Sequence, residues 1–149
     1  MKAARSIKGF TLLELMIVLF IVVLAVGAIS INIANGNPAS QIKAAARDMA
    51  SALRYARGQA LISRKRVWVS INLIDNSYRI SDREKKFILP ESIRLTLTLA
   101  ENTVKNEEGR VVFYPDSSSS GGRIELEQGG FYQRIDINWI NGNVTVVDE

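Results

Sequence analysis

The chain has 149 residues, with 19 Lys plus Arg against 15 Asp plus Glu and neither Cys nor His. That length allows one modest folded domain with an appendage, and the missing residue types exclude disulfide frameworks, thiolate nucleophiles, Cys/His zinc sites and His general bases. A formal net charge of +4 and a pI near 9.6 raise nucleic acid or an anionic membrane surface as partners, so where the charge sits along the chain matters.

Met1 to Gly9 carries Lys2, Arg5 and Lys8 and no acid. From Phe10 to Ile33 the chain is apolar, with Glu14 as its one ionisable side chain and no proline. Leu15 to Ile33 would form a helix of about 28 Å, close to the hydrocarbon thickness of a bilayer. With the basic residues on its amino side, the positive-inside rule puts the N-terminus in the cytoplasm and the polar body across the membrane. A secretory signal peptide shares the basic-then-apolar plan, but Ser30 to Asn35 offers no A-x-A-like site and the apolar run exceeds an ordinary signal core, so the segment reads as retained.

Lys8-Gly9-Phe10-Thr11-Leu12-Leu13-Glu14 resembles the processing site of type IV pilins and type II secretion pseudopilins. The resemblance implies that a prepilin peptidase cuts between Gly9 and Phe10 and methylates the new amino group of Phe10, leaving the apolar helix in place. A glycine before the cut lets a protease approach the backbone closely. Glu14 has two readings. A carboxylate at the edge of an apolar segment can snorkel to the headgroups and complement the helix dipole, or it can meet a positive partner. The resemblance implies the second: pairing with the methylated N-terminal amine of a neighbouring subunit.

Asn35-Gly36-Asn37-Pro38 interrupts the apolar run, with Pro38 suited to the first position of a new helix and Asn37 to its cap. From Ser40 to about Ser63 the spacing is helical, with Ile42, Ala45, Met49, Ala52, Leu53, Ala56 and Ala60 on an inward stripe and Lys43, Arg47, Arg54 and Arg57 expected to face away. Arg47, Arg54 and Arg57 are candidate contacts for a partner or an anion. The helix holds Tyr55 as its aromatic and lacks the interleaved stacking platform of single-strand binders, so a solvated or subunit-contacting face is preferred to nucleic acid.

After Arg66 the pattern alternates. Strands are expected at Val67–Leu73, Tyr78–Ile80, Ile93–Leu99, Arg110–Tyr114, Arg123–Glu127, Tyr132–Ile140 and Asn143–Val147, with a turn at Asp75-Asn76-Ser77 and a two-residue hairpin at Asn141-Gly142. In Tyr132–Ile140, Ile135, Ile137 and Trp139 alternate with Arg134, Asp136 and Asn138. The class is α+β, with one antiparallel sheet or two small ones laid against the amphipathic helix.

Phe113 to Leu126, reading FYPDSSSSGGRIEL, resembles the F-x-P-D-G-S-S-x-G-G-x-I-x-L segment of the GspH/FimT family, with Ser117 where that family usually has glycine. Ala52 to Ala60 is similar to the family's long-helix pattern. The resemblance implies a type IV pilin-like fold: leader 1–9, transmembrane or filament-core helix 10–34, amphipathic helix 35–66 and β-rich periplasmic head 67–149. It further implies a minor pseudopilin at or near the tip of a periplasmic pseudopilus that helps export folded proteins through an outer-membrane secretin. Its partners would be other minor and major pseudopilins, the prepilin peptidase and the inner-membrane platform. It would sit in the inner membrane as a single-pass protein, amino end cytoplasmic. The rival is a FimT- or FimU-like minor pilin of a type IV pilus that binds DNA.

No catalytic, cofactor-binding or metal site is read in the chain. Asp48, Asp75, Asp82, Asp116 and Asp136 are scattered, each near a basic residue; Asp75-Asn76-Ser77 falls short of a calcium loop; and Ser63 with Lys65 is an ordinary polar pair. The Gly/Ser-rich loop lacks a P-loop's Lys and following helix and reads as a connecting turn. Removing the leader leaves 16 basic against 15 acidic side chains, so most of the charge imbalance is a topology signal.

Overall fold

The computed structural model describes residues 12–34, 37–99 and 107–148, the side chains of 25–34 excepted. The chain divides into two units, Met1–Gly36 and Asn37–Glu149. The leader and the Gly9–Phe10 junction lie outside the described residues.

In the first unit, helix α1 runs Leu12–Ala34 with Glu14 in its first turn. Its described apolar side chains, Leu12 to Leu24, are all exposed on the isolated chain. The helix expected over Leu15–Ile33 extends beyond them, and among the described residues no helix is long and apolar enough to cross a membrane.

The second unit opens on Asn37. Its side-chain oxygen accepts the Ala39 amide at 3.0 Å and Pro38 occupies the first turn, so α2 runs Pro38–Ser63 from the expected cap. It ends at Arg64, which takes a left-handed φ of 52°. The inward stripe is broader than expected. Ala46 and Ala50 join Ile42, Met49, Ala52, Leu53, Ala56 and Ala60 in the buried set, and Ala45 is half-buried. Alanines on this face allow sheets to approach closely, while Met49 and Leu53, both fully buried, each contribute about 1.5–3 kcal/mol by leaving water.

Two four-stranded sheets pack on α2. The first, in order β3-β2-β1-β5, comprises β1 (Val67–Asn72), β2 (Ser77–Ile80), β3 (Lys86–Ile88) and β5 (Glu108–Phe113). The second, in order β4-β6-β7-β8, comprises β4 (Arg94–Thr98), β6 (Gly122–Gln128), β7 (Phe131–Ile137) and β8 (Val144–Asp148). All neighbours are antiparallel. Val69, Ile71, Val111 and Phe113 from one sheet and Ile124, Leu126 and Ile135 from the other complete the core. At β5 a Cβ on Gly109 would meet the ends of the Leu97 and Leu99 side chains, which would have to shift to admit it.

The structure corrects three expectations. β3, a three-residue strand, stands where no strand is expected. It is held by Phe87, whose ring stacks on Tyr78 with centroids 5.0 Å apart. β7 stops at Ile137 rather than Ile140, and Trp139 is 66% exposed instead of turning inward. The β7–β8 loop occupies residues 138–143, not Asn141-Gly142 alone, because the Asn138 side chain accepts the amides of Ile140 and Asn141 at 2.8 and 3.3 Å and bends the chain early.

Candidate functional site

The basic residues of α2 converge on β8 of the chain itself. Lys43 pairs with Asp148 at 2.9 Å. The Asp148 carboxyl is held below its ordinary value of 3.8, first by the Lys43 hydrogen bond and also by Gln133 and Arg47. Arg54 donates from Nε and Nη2 to the Val144 carbonyl at 3.3 and 3.0 Å. β8 is an edge strand, and Arg54 satisfies a carbonyl there that a further strand would otherwise take. Arg57 lays its stem against the Gly142 turn, and its buried Nε has no hydrogen-bond partner among the described residues. Arg54 stays exposed, as expected, while reaching over to β8; the outward orientation expected for Arg57 is corrected, because its Nε is buried against the Gly142 turn. Arg47 remains exposed. Lys43 and Arg54 thus fasten a strand edge.

The loop 114–121 ties the two sheets together. Asp116 Oδ1 accepts the Ser118 amide at 3.0 Å and the Ser118 hydroxyl at 2.6 Å, and these bonds lower the Asp116 pKa. The Ser119 amide donates to Trp139 O at 2.9 Å and its hydroxyl to Asn138 O at 3.0 Å, both just beyond β7. The Ser120 amide donates to Val112 O at 2.9 Å and its hydroxyl accepts the Val112 amide at 3.1 Å, on β5. Consecutive serines thus join opposite sheets, and the Gly/Ser run is a structural splice. The Ser117 carbonyl lies 2.6 Å from where a Cβ on Gly142 would stand, so the splice, the β7–β8 turn and Arg57 meet at one point.

Other candidate groups have local roles. The Ser63 hydroxyl donates to Gln59 O at 2.7 Å, within the helix. Asp75 pairs with Lys86 at 2.7 Å, and Asp82 accepts the Tyr55 hydroxyl at 3.2 Å. Among the described residues no group of three or more His, Cys, Asp or Glu side chains is arranged to hold a metal. Gly9 and Phe10 are outside the described residues, and Glu14 is an exposed residue on α1.

This helix, with its two sheets and serine splice, can be compared with known proteins. The family model described as type II transport protein GspH matches residues 45–142, from inside α2 to Gly142. The chain belongs to the GspH family. A second model, the prokaryotic N-terminal methylation motif, matches residues 4–30. The chain is 25% identical to type II secretion system protein H of Xanthomonas campestris, over 94% of this chain and 83% of that one. The GspH-family head shares its fold with the minor pseudopilin EpsH of Vibrio cholerae at a TM-score of 0.59 and 13% identity, covering 72% of this chain and 97% of that one. It also shares it with the type IV minor pilin FimU of Pseudomonas aeruginosa, at a TM-score of 0.57 and 12% identity over 72% and 89% of the two chains. The type IV pilin-like α+β architecture expected from the sequence is thereby borne out for the head.

Proposed function

We propose that this GspH-family chain is a minor pseudopilin, a structural subunit at or near the tip of a type II secretion pseudopilus that helps move folded proteins through the outer-membrane secretin. The observation that carries this reading is the union, in one chain, of an N-terminal methylation motif over residues 4–30 and a GspH match over residues 45–142. The likeness to the Xanthomonas secretion protein H supports it. So does α1, whose described apolar side chains are exposed all round and need lipid or neighbouring helices to cover them.

In this reading the prepilin peptidase cuts after Gly9 and methylates Phe10. The retained helix anchors the chain in the inner membrane with its amino end cytoplasmic and its head periplasmic, before packing in the filament core. Glu14 pairs there with the methylated amine of a neighbour, so that two charges offset each other in an apolar surrounding. Other major and minor pseudopilins and the inner-membrane platform are its partners. Its work is mechanical: it assembles.

The FimU likeness keeps a pilus subunit as the second reading. Deleting the gene and following both activities separates them. Loss of exoprotein secretion with pilus function retained supports the secretion reading; the reverse pattern contradicts it.

A further inference from the structure

The face of the first sheet turned away from the core carries two arginines, Arg79 and Arg110, that no acid among the described residues neutralises. In register across it stand Lys86 of β3, Arg79 of β2, Ser70 of β1 and Arg110 of β5. Lys86 is held by Asp75 at 2.7 Å. Among the described residues, neither Arg79 nor Arg110 makes an ion pair or a side-chain hydrogen bond. The outer face of the second sheet is different: Arg123 and Arg134 both reach Asp136, at 2.8 and 3.1 Å, and Arg94 reaches Glu127 at 3.8 Å. Cations there are matched by acids of the same sheet; on the first sheet, among the described residues, Arg79 and Arg110 are not.

Arg79 and Arg110 flank Ser70 from either side, so their Cα atoms are about 10 Å apart, twice the strand spacing. A serine between them leaves room above the sheet for both guanidinium arms to lean over one guest group. Ser70, only 8% exposed, lies beneath them. One row along, Trp68 stands opposite Val112 with 37% of its surface exposed. Trp68, Ser70, Arg79 and Arg110 line a single depression of about 410 Å³. A tryptophan beside two unpaired arginines in a hollow is the composition of residues that dominate protein–protein binding energy.

We propose that this depression is a docking site for an acidic segment of a partner protein, presenting Asp or Glu carboxylates to Arg79 and Arg110 and an apolar side chain to Trp68. Guanidinium forks bind carboxylates in a fixed geometry, and the indole supplies the desolvated contact beside them. Charge complementarity selects this occupant over a nucleic-acid backbone. Asp82 and Glu84 line the depression together with Arg83, so three arginines stand against two acids there, and Glu108 stands in the next row on the same face. These acids interrupt any continuous basic track for successive phosphates while leaving room for one short acidic segment. The inference rests on the subunit reading above only for the source of the partner, a neighbouring filament protein.

The test uses the full-length chain in secreting cells, with a photocrosslinking amino acid at Val112 and the joined peptides identified by mass spectrometry. A crosslink to an acidic peptide of another filament subunit is expected. Arg79→Glu with Arg110→Glu should lower its yield by about tenfold, and Arg79→Gln with Arg110→Gln by less. Exchanging the partner's crosslinked acids for Arg should restore the yield with the Glu pair, which also shows that the variant folds. Arg66→Glu, outside the depression, should leave the yield unchanged. Crosslinks to nucleic acid, to lipid or to a peptide without acids would overturn the inference, as would a yield insensitive to charge reversal. If the chain enters filaments yet Val112 behaves in one of those ways, the docking inference alone fails; if the chain never enters a filament, both readings fail.

Discussion

The Arg54 guanidinium grips the carbonyl oxygen of Val144, 90 positions further along the chain, with hydrogen bonds of 3.3 and 3.0 Å. This clamp fixes the edge of the second sheet to the middle of α2. Arg54→Ala should therefore destabilise the head by about 1–2 kcal/mol, as expected for losing hydrogen bonds from a charged donor. Arg54→Lys, with a single point of attachment, should lose part of that. Urea unfolding of the head from Asn37 onward measures both; equal stability of the Ala variant and the parent would remove the clamp from the account.

At the far end of the same strand, Lys43 holds the Asp148 carboxyl below 3.8, with Gln133 and Arg47 adding to the effect. A carboxyl depressed in the folded state contributes stability above its unfolded pKa, and that contribution fades as pH falls through the folded value. The latch should accordingly persist throughout the neutral and mildly acidic range and open only below 3.8. An NMR titration of Asp148 should give a midpoint below 3.8 in the parent and closer to it in Lys43→Ala. An unchanged midpoint in the variant would mean that Lys43 is not the cause.

Ser117 adopts a φ of 75°, where an L side chain is strained. Ser117→Gly should relieve that strain and stabilise the head by about 0.5–1 kcal/mol, after allowing for glycine's freer unfolded chain. Thermal unfolding of the two proteins decides it. A lower melting temperature for the glycine variant would show that the serine contributes more to the splice than its backbone costs.

Local signals in the sequence were reliable where local physics decides the outcome. The Asn37-Pro38 start of α2 is a matter of capping, and alternation located strands wherever one face is buried, as with Leu95 and Leu97 in β4. Alternation failed after Ile137, where the Asn138 side chain captures two amides and the resulting turn overrides the period. β3 was hidden because it has a single core-facing anchor, Phe87, and that ring's partner, Tyr78, lies on another strand. The partners of the basic stripe of α2 were hidden for a similar reason. They are a backbone carbonyl at Val144 and a carboxylate at Asp148, and a main-chain acceptor leaves no mark in a sequence. The two arginines flanking Ser70, unpaired among the described residues, were invisible too, since only the β1–β2 and β1–β5 pairings set them in one row.

The central claim is that the chain works by entering a filament through its N-terminal helix. Its most direct test is in-cell crosslinking of the full-length chain to its neighbouring subunits, comparing the parent with Glu14→Ala. The variant should insert in the membrane and lose Met1–Gly9 normally, yet give no crosslink to filament partners. Normal crosslinking of Glu14→Ala to those partners would contradict it.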